Sequence, residues 1–211
     1  AVYDSYMNDA PIPGLPKAAG INALRYPGGS YSDIYNWQTN VAQGGYDAPN
    51  TSFANFMTTA QAAGTSPIIT TNYGTGTPSL AASWVHNANV TNHYGIAYWE
   101  VGNELYGNGH YGSGWETDNH ADTSPTAYGN NVVEYAAAMK AVDPTVKVGA
   151  VLTLPGNWPD GVMADGESAD WNHTVIPLIA GKADFVIVHW YPGGSNAAQV
   201  LGSPAQLSGE L

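Results

Sequence analysis

Glu104 closes the apolar run Ile96-Ala97-Tyr98-Trp99-Glu100-Val101-Gly102-Asn103. A carboxyl placed where a buried strand emerges is partly desolvated, and near a second carboxylate its pKa rises toward that of a proton donor. Cleavage of a glycosidic bond needs such a donor, because the alkoxide it releases is a poor leaving group. The same residue would also suit an ordinary helix start, where the dipole favours a carboxylate. Asn103, its neighbour, can donate a hydrogen bond to a sugar hydroxyl that strengthens as charge develops on the ring. Arg25 is the one arginine of the chain and stands before Pro27-Gly28-Gly29. A guanidinium there suits orientation of a carboxylate by paired hydrogen bonds, and suits equally a structural ion pair with Glu100. Glu100 lies four residues before Glu104 and therefore deeper along the strand, which fits a structural role.

Other polar and aromatic groups gather where apolar runs end. His189-Trp190-Tyr191-Pro192 follows one run and Thr71-Asn72-Tyr73-Gly74 another. Aromatic rings stack on sugar faces while their polar tips fix orientation, so His189, Trp190 and Tyr191 read as a wall of a sugar site. Strand residues alternate sides, which selects His189 and Tyr191 to face inward. Asn72, Tyr73 and Trp37 are candidates of the same kind, although core packing is the commoner fate of a lone aromatic. His110, Asp118, His120 and Asp122 match no metal-binding spacing and read as a solvated loop, so neither metal nor cofactor is expected.

Composition narrows the partners. Seventeen acidic against five basic residues give a net charge of −12, which repels nucleic acid and anionic lipid. Polarity comes instead from Asn, Thr, Ser, Gly and 14 Tyr, with 7 Trp, a mixture suited to neutral, hydroxyl-rich ligands and equally to solubility in a secreted protein. Cysteine is absent, which excludes disulfides, thiolate metal sites and a cysteine nucleophile. No run of about 18 apolar residues predicts a membrane span. The expectation is an extracellular protein with a carbohydrate partner; the sequence says nothing of oligomeric state.

These residues need a frame. Short apolar runs at residues 23–26, 66–71, 96–101, 146–152 and 185–190 predict buried strands, with 2–6 as the remnant of an earlier one. Segments of helical period at 13–19, 52–63, 79–88, 128–142 and 170–180 lie between them. The alternation predicts βα units around a parallel sheet, in one domain over residues 1–211. Tyr26-Pro27-Gly28-Gly29-Ser30 lacks the third glycine of a dinucleotide-binding turn, which favours a (β/α)₈ barrel over a doubly wound sheet. A complete barrel of eight strands takes about 250 residues, so this chain reads as an incomplete one with about six units. The one long irregular stretch, residues 106–127, directly follows the strand that ends at Glu104.

The motifs Leu24-Arg25-Tyr26-Pro27-Gly28-Gly29-Ser30-Tyr31-Ser32, Tyr35-Asn36-Trp37, Ala81-Ala82-Ser83-Trp84-Val85, Tyr98-Trp99-Glu100-Val101-Gly102-Asn103-Glu104-Leu105 and Asp184-Phe185-Val186-Ile187-Val188-His189-Trp190-Tyr191-Pro192 resemble, in order and spacing, the α-L-arabinofuranosidases of glycoside hydrolase family 51 and related members of clan A. The resemblance implies a retaining glycosidase acting on plant-type polysaccharide or oligosaccharide. It implies Glu104 as acid/base, Asn103 as its hydroxyl-binding neighbour, Arg25 as an active-site arginine, and His189 with Tyr191 as the sixth-strand contribution. A β-glycanase of the same clan, cellulase-like or xyloglucanase-like, and a non-catalytic carbohydrate-binding barrel are the alternatives. In the clan the nucleophile is a Glu ending the seventh strand. Glu210 follows Ser208-Gly209 in a polar, helix-like segment and does not fit that role, so the expectation is a partial catalytic domain whose nucleophile lies beyond residue 211.

Overall fold

Helix and strand signals in this chain are sharply placed. Ser52, Thr77 and Ser124 each accept a backbone N–H of the following turn through the side chain, and Pro78 and Pro125 occupy first-turn positions where no N–H is needed. The computed structural model describes residues 5–108, 116–153, 167–189 and 195–210. In chain order the elements are α1 (Gly14–Ala18), β1 (Ala23–Tyr26), a small hairpin of β2 (Tyr35–Asn36) and β3 (Val41–Ala42), α2 (Phe53–Ala63), β4 (Ser66–Thr71), α3 (Pro78–Val85), β5 (Tyr98–Val101), α4 (Pro125–Val142), β6 (Lys147–Leu152), α5 (Glu167–Ile179), β7 (Phe185–Val188) and α6 (Ala197–Glu210). The main sheet is five-stranded, in the order β1-β4-β5-β6-β7, and every neighbouring pair is parallel. The result is an α/β fold with a half-barrel sheet.

Five predicted strands are present: β1 and β4 have the expected bounds, β5 and β6 start later than residues 96 and 146, and β7 ends at Val188 rather than at residue 190. The predicted sixth is not found where it can be checked: Ser5 and Tyr6 lie in a turn, and residues 2–4 lie outside the described residues. The helix expected at 79–88 continues past α3 as a π-helical stretch, His86–Thr91. Asn89 explains the extension, because its side chain accepts Ile96 N–H at 2.8 Å and donates to Ile96 C=O at 2.9 Å. It thereby ties the end of the stretch to the strand that follows, a contact between residues seven apart that periodicity does not report.

Alternation along the strands divides the sheet into two faces. Tyr26, Ile69 and Trp99 are buried against the helices, where Tyr26 stacks on Phe56 at 4.6 Å and Trp99 meets Trp84 at 6.0 Å. Such ring pairs add about 0.5–1.5 kcal/mol beyond the area they bury. One residue further on, Thr70 and Glu100 therefore point to the other face, as does Arg25. Polar groups on that face sit in front of a sheet whose back is closed by aromatics, and this orientation carries the chemistry.

Candidate active site

The site is built where β1, β4, β5 and β7 end. β5 stops at Gly102, which adopts φ +76°, a conformation cheap only for glycine; this turns Asn103 and Glu104 across the ends of the strands. Glu104 is 7% exposed, and its Oε1 lies 2.6 Å from Nδ1 of His189, the residue after β7. A contact this short lies in the range of a charge-assisted hydrogen bond between carboxyl and imidazole.

Arg25 joins two residues of the same segment. Its Nε donates to Glu100 Oε2 at 2.6 Å and its Nη2 donates to Asn103 Oδ1 at 3.2 Å. Thr70 Oγ donates to the same Glu100 oxygen at 2.9 Å. Glu100 is thus the arginine's structural partner, and the arginine also reaches the site through Asn103. Both sequence readings of Arg25 are compatible with this geometry.

Asn103 is held from two further directions. Its backbone N–H donates to Asp33 Oδ2 at 3.1 Å and its Nδ2 donates to Glu116 Oε1 at 2.8 Å. Ser30 Oγ donates to that same Glu116 oxygen at 2.9 Å. Asp33 is fully buried and Glu116 is 2% exposed. Burial, and then the charge of Glu116, push the Asp33 carboxyl well above the usual range. Burial raises Glu116 as well, Asn103 and Ser30 oppose the shift by hydrogen bonding, and the charge of Glu104 adds to it.

The structure therefore brings Arg25, Asn103, Glu104 and His189 together. Asn72, Tyr73 and Trp37 it directs elsewhere. Asn72 Nδ2 donates to Tyr35 C=O at 3.1 Å and to Thr75 Oγ at 2.9 Å. Tyr73 is buried and its hydroxyl accepts from Asn131 at 2.9 Å. Trp37 stacks on Trp84 at 5.8 Å and donates to Leu80 C=O at 3.2 Å. In these contacts each of the three holds a neighbouring loop or helix rather than joining the Arg25, Asn103, Glu104 and His189 group. Trp190 and Tyr191 lie outside the described residues. On the long loop Asp118 and His120 pair with each other at 2.7 Å, and Asp122 accepts Ser124 N–H at 2.9 Å. Sequence reasoning missed Asp33, Ser30 and Glu116. Their signal was faint: an acid inside Tyr31-Ser32-Asp33-Ile34-Tyr35, and another in a loop without periodicity.

No family model matches the chain. It is similar over 189 residues to the protein of Aspergillus clavatus named probable α-L-arabinofuranosidase C, at 28% identity, covering 77% of this chain and 34% of that protein. It is also similar to the intracellular exo-α-(1→5)-L-arabinofuranosidase 1 of Bacillus subtilis, at 24% identity over 220 residues, covering 92% of this chain and 40% of that one. Among solved structures, the family 51 α-L-arabinofuranosidase of Bifidobacterium longum shares the fold with a TM-score of 0.72 at 21% identity, over 95% of this chain and 43% of that one. The chain thus resembles family 51 arabinofuranosidases, and it spans about a third to two fifths of the length of these relatives. The Bacillus protein is intracellular by name, so an extracellular location is not common to these relatives.

Proposed function

We propose that this chain forms part of a retaining glycoside hydrolase of the α-L-arabinofuranosidase type, with Glu104 as the acid/base and a carbohydrate as its partner. The observation that carries this reading is the pairing of Glu104 with His189 at 2.6 Å, beside an Asn103 fixed on three sides. With Nδ1 protonated, His189 donates to Oε1 and leaves the transferable proton to the other carboxyl oxygen. In the first step that proton passes to the glycosidic oxygen as the bond to the anomeric carbon breaks. In the second, the Glu104 carboxylate takes a proton from the attacking water. Asn103 presents its remaining amide N–H to a sugar hydroxyl, where the bond strengthens as positive charge develops.

In this reading the half-barrel sheet is part of a (β/α)₈ barrel, and a seventh-strand carboxyl, about 5–5.5 Å from Glu104, attacks the anomeric carbon. The likeness to arabinofuranosidases favours arabinofuranosides over β-glucans as substrates. The test uses the full-length protein with Glu104→Gln. Turnover of an alkyl arabinofuranoside, a poor leaving group, should fall by about 10²–10⁴-fold. Nitrophenyl arabinofuranoside, which departs without protonation, should lose less in its first step. Equal retention of activity on both substrates would remove Glu104 from the chemistry, and turnover of β-glucan alone would move the substrate assignment.

A further inference from the structure

We propose that Asp33 and Glu116 form a proton-sharing carboxyl pair that acts as the positioning device for Asn103 beside Glu104. The positioning role rests on the reading of Glu104 as the acid/base; the shared proton does not.

Asn103 makes the case by elimination. Arg25 can only donate and an ionised carboxylate oxygen can only accept, so the amide must turn Oδ1 to Arg25 and Nδ2 to Glu116. Its backbone N–H is taken by Asp33. The side chain thereby has one orientation, and that orientation depends on Glu116 being where it is. The loop bearing Glu116 is fastened rather than loose. Asn119 N–H donates to Gly74 C=O at 2.8 Å, Glu116 N–H donates to Asn108 Oδ1 at 2.8 Å, and the His120 ring lies on Tyr73 at 4.6 Å. A side chain at Gly74 would collide with the carbonyl of Thr117, so the loop is seated directly on the end of β4.

With Asp33 Oδ2 and Glu116 Oε1 occupied, one oxygen of each carboxyl remains. Asp33 Oδ1 and Glu116 Oε2 are both buried and, among the described residues, accept no well-aligned hydrogen bond, the backbone N–H of Tyr73 only partly favouring an ionised Asp33. Both carboxyls meet the same residue, Asp33 at the backbone N–H of Asn103 and Glu116 at its Nδ2, which sets them side by side. Two ionised carboxylates here would repel each other and leave two acceptors unsatisfied in a dry site; one proton between them removes both costs. Other charged groups around the pair do not supply an alternative. Glu104 and Asp118 add negative charge, His189 is engaged by Glu104, His120 by Asp118, and Arg25 by Glu100 and Asn103. Glu100 faces Arg25, and the hydroxyl of Tyr73 is turned to Asn131.

A shared proton predicts an unusual pattern among amide variants of the full-length protein. Glu116→Gln keeps an acceptor for Asn103 and Ser30 and turns its Nε2 hydrogens to Asp33. Asp33→Asn keeps an acceptor for the Asn103 N–H and turns its Nδ2 hydrogens to Glu116. Either single variant replaces the proton with an amide N–H, whereas Asp33→Asn/Glu116→Gln sets two amide nitrogens against each other. Each single variant should melt within about 2 °C of the parent at neutral pH, and the double variant about 5 °C or more below it. The pair's contribution to the parent's stability should be fullest below the ordinary carboxylate range and fall as pH rises through the raised value of the pair, because the native state prefers its protonated form. The single variants should lack that fall. A double variant as stable as the singles, or singles as damaged as the double, overturns the shared proton.

The positioning role is read separately, by kinetics on nitrophenyl arabinofuranoside. Glu116→Ala should lower kcat/KM by about 10–100-fold, and Glu116→Gln should recover most of that loss. An unchanged kcat/KM in Glu116→Ala overturns the positioning role even where the melting pattern holds. A parent inactive on every glycoside would sink the functional reading and the positioning role with it, while the melting series still decides the shared proton.

Discussion

Replacing Arg25 with Met keeps the length of the side chain and deletes the cation, and the consequences can be worked out contact by contact. Glu100 Oε2 loses a 2.6 Å charged donor and keeps only Thr70 Oγ, at 2.9 Å. Asn103 Oδ1 loses its 3.2 Å donor. Removing one partner of a fully buried ion pair costs about 3–5 kcal/mol. The Arg25 side chain, however, is 28% exposed against 6% for Glu100, so water screens the pair from one side and about 2 kcal/mol is the better expectation. For a domain of this size that corresponds to a Tm lower by about 4–8 °C. Glu100→Gln alone should cost less, since an amide oxygen still accepts from Arg25. The decisive measurement is a double-mutant cycle by chemical denaturation, with Arg25→Met, Glu100→Gln and the two combined. The combined loss should fall short of the sum of the single losses by about 1 kcal/mol or more, because the second change relieves the charge stranded by the first. Additive losses within about 0.3 kcal/mol would refute the argument that the guanidinium and the Glu100 carboxylate depend on each other.

Two further outcomes test how the frame holds the site. Tyr128→Phe removes a buried hydroxyl that donates to Val101 C=O at 2.8 Å and accepts Val151 N–H at 2.8 Å, bridging the upper ends of β5 and β6. With both backbone groups left dry, the denaturation midpoint should correspond to a loss of about 2 kcal/mol, and an unchanged midpoint would show that this bridge contributes nothing. Gly74→Ala drives a methyl group into the Thr117 carbonyl and should displace the loop that carries Glu116. The expected cost is about 1–3 kcal/mol with faster proteolysis of that loop, and equal cleavage rates in parent and variant would exclude the seating described here.

The parts of the fold that were legible in the sequence are those governed by local rules. Runs such as residues 66–71 and 185–188 read as strands because they are short, rich in β-branched residues and set off from their neighbours, although only part of each is buried: Ile69, Thr70 and Thr71 in the first and Ile187 in the second, with Val186 half exposed. The helix start at Ser52 follows from capping chemistry that operates within one turn, whereas α3 and α4 begin earlier than the expected residues 79 and 128, at Pro78 and Pro125 behind the caps Thr77 and Ser124. Arg25, Asn103, Glu104 and His189 could be chosen because strand exits are fixed once strands are found. Asp33 and Glu116 could not, because what makes them unusual is burial against each other and against Asn103, across 83 and 13 residues of chain. Tyr73 and Trp37 mislead for the complementary reason. An aromatic at a strand exit has the same local sequence whether it faces a ligand or, as here, packs on His120 and Trp84.

A chain with a formal charge of −12 nevertheless buries Asp33, Glu100, Glu104, Glu116 and Asp118 within one set of strand ends and their loops. A buried carboxylate costs several kcal/mol unless something compensates its charge, and the chain has few cations with which to do it. The structure distributes what it has. The lone guanidinium goes to Glu100 and Asn103, two imidazoles go to Glu104 and Asp118, and among the described residues no cationic side chain pairs with Asp33 or Glu116. The proposed shared proton is the compensation that no described cation gives them. Glu104 differs from the other four in its place: it stands just past the end of β5 and meets an imidazole from the end of β7, which is the ground on which the proton-transfer role is proposed for it.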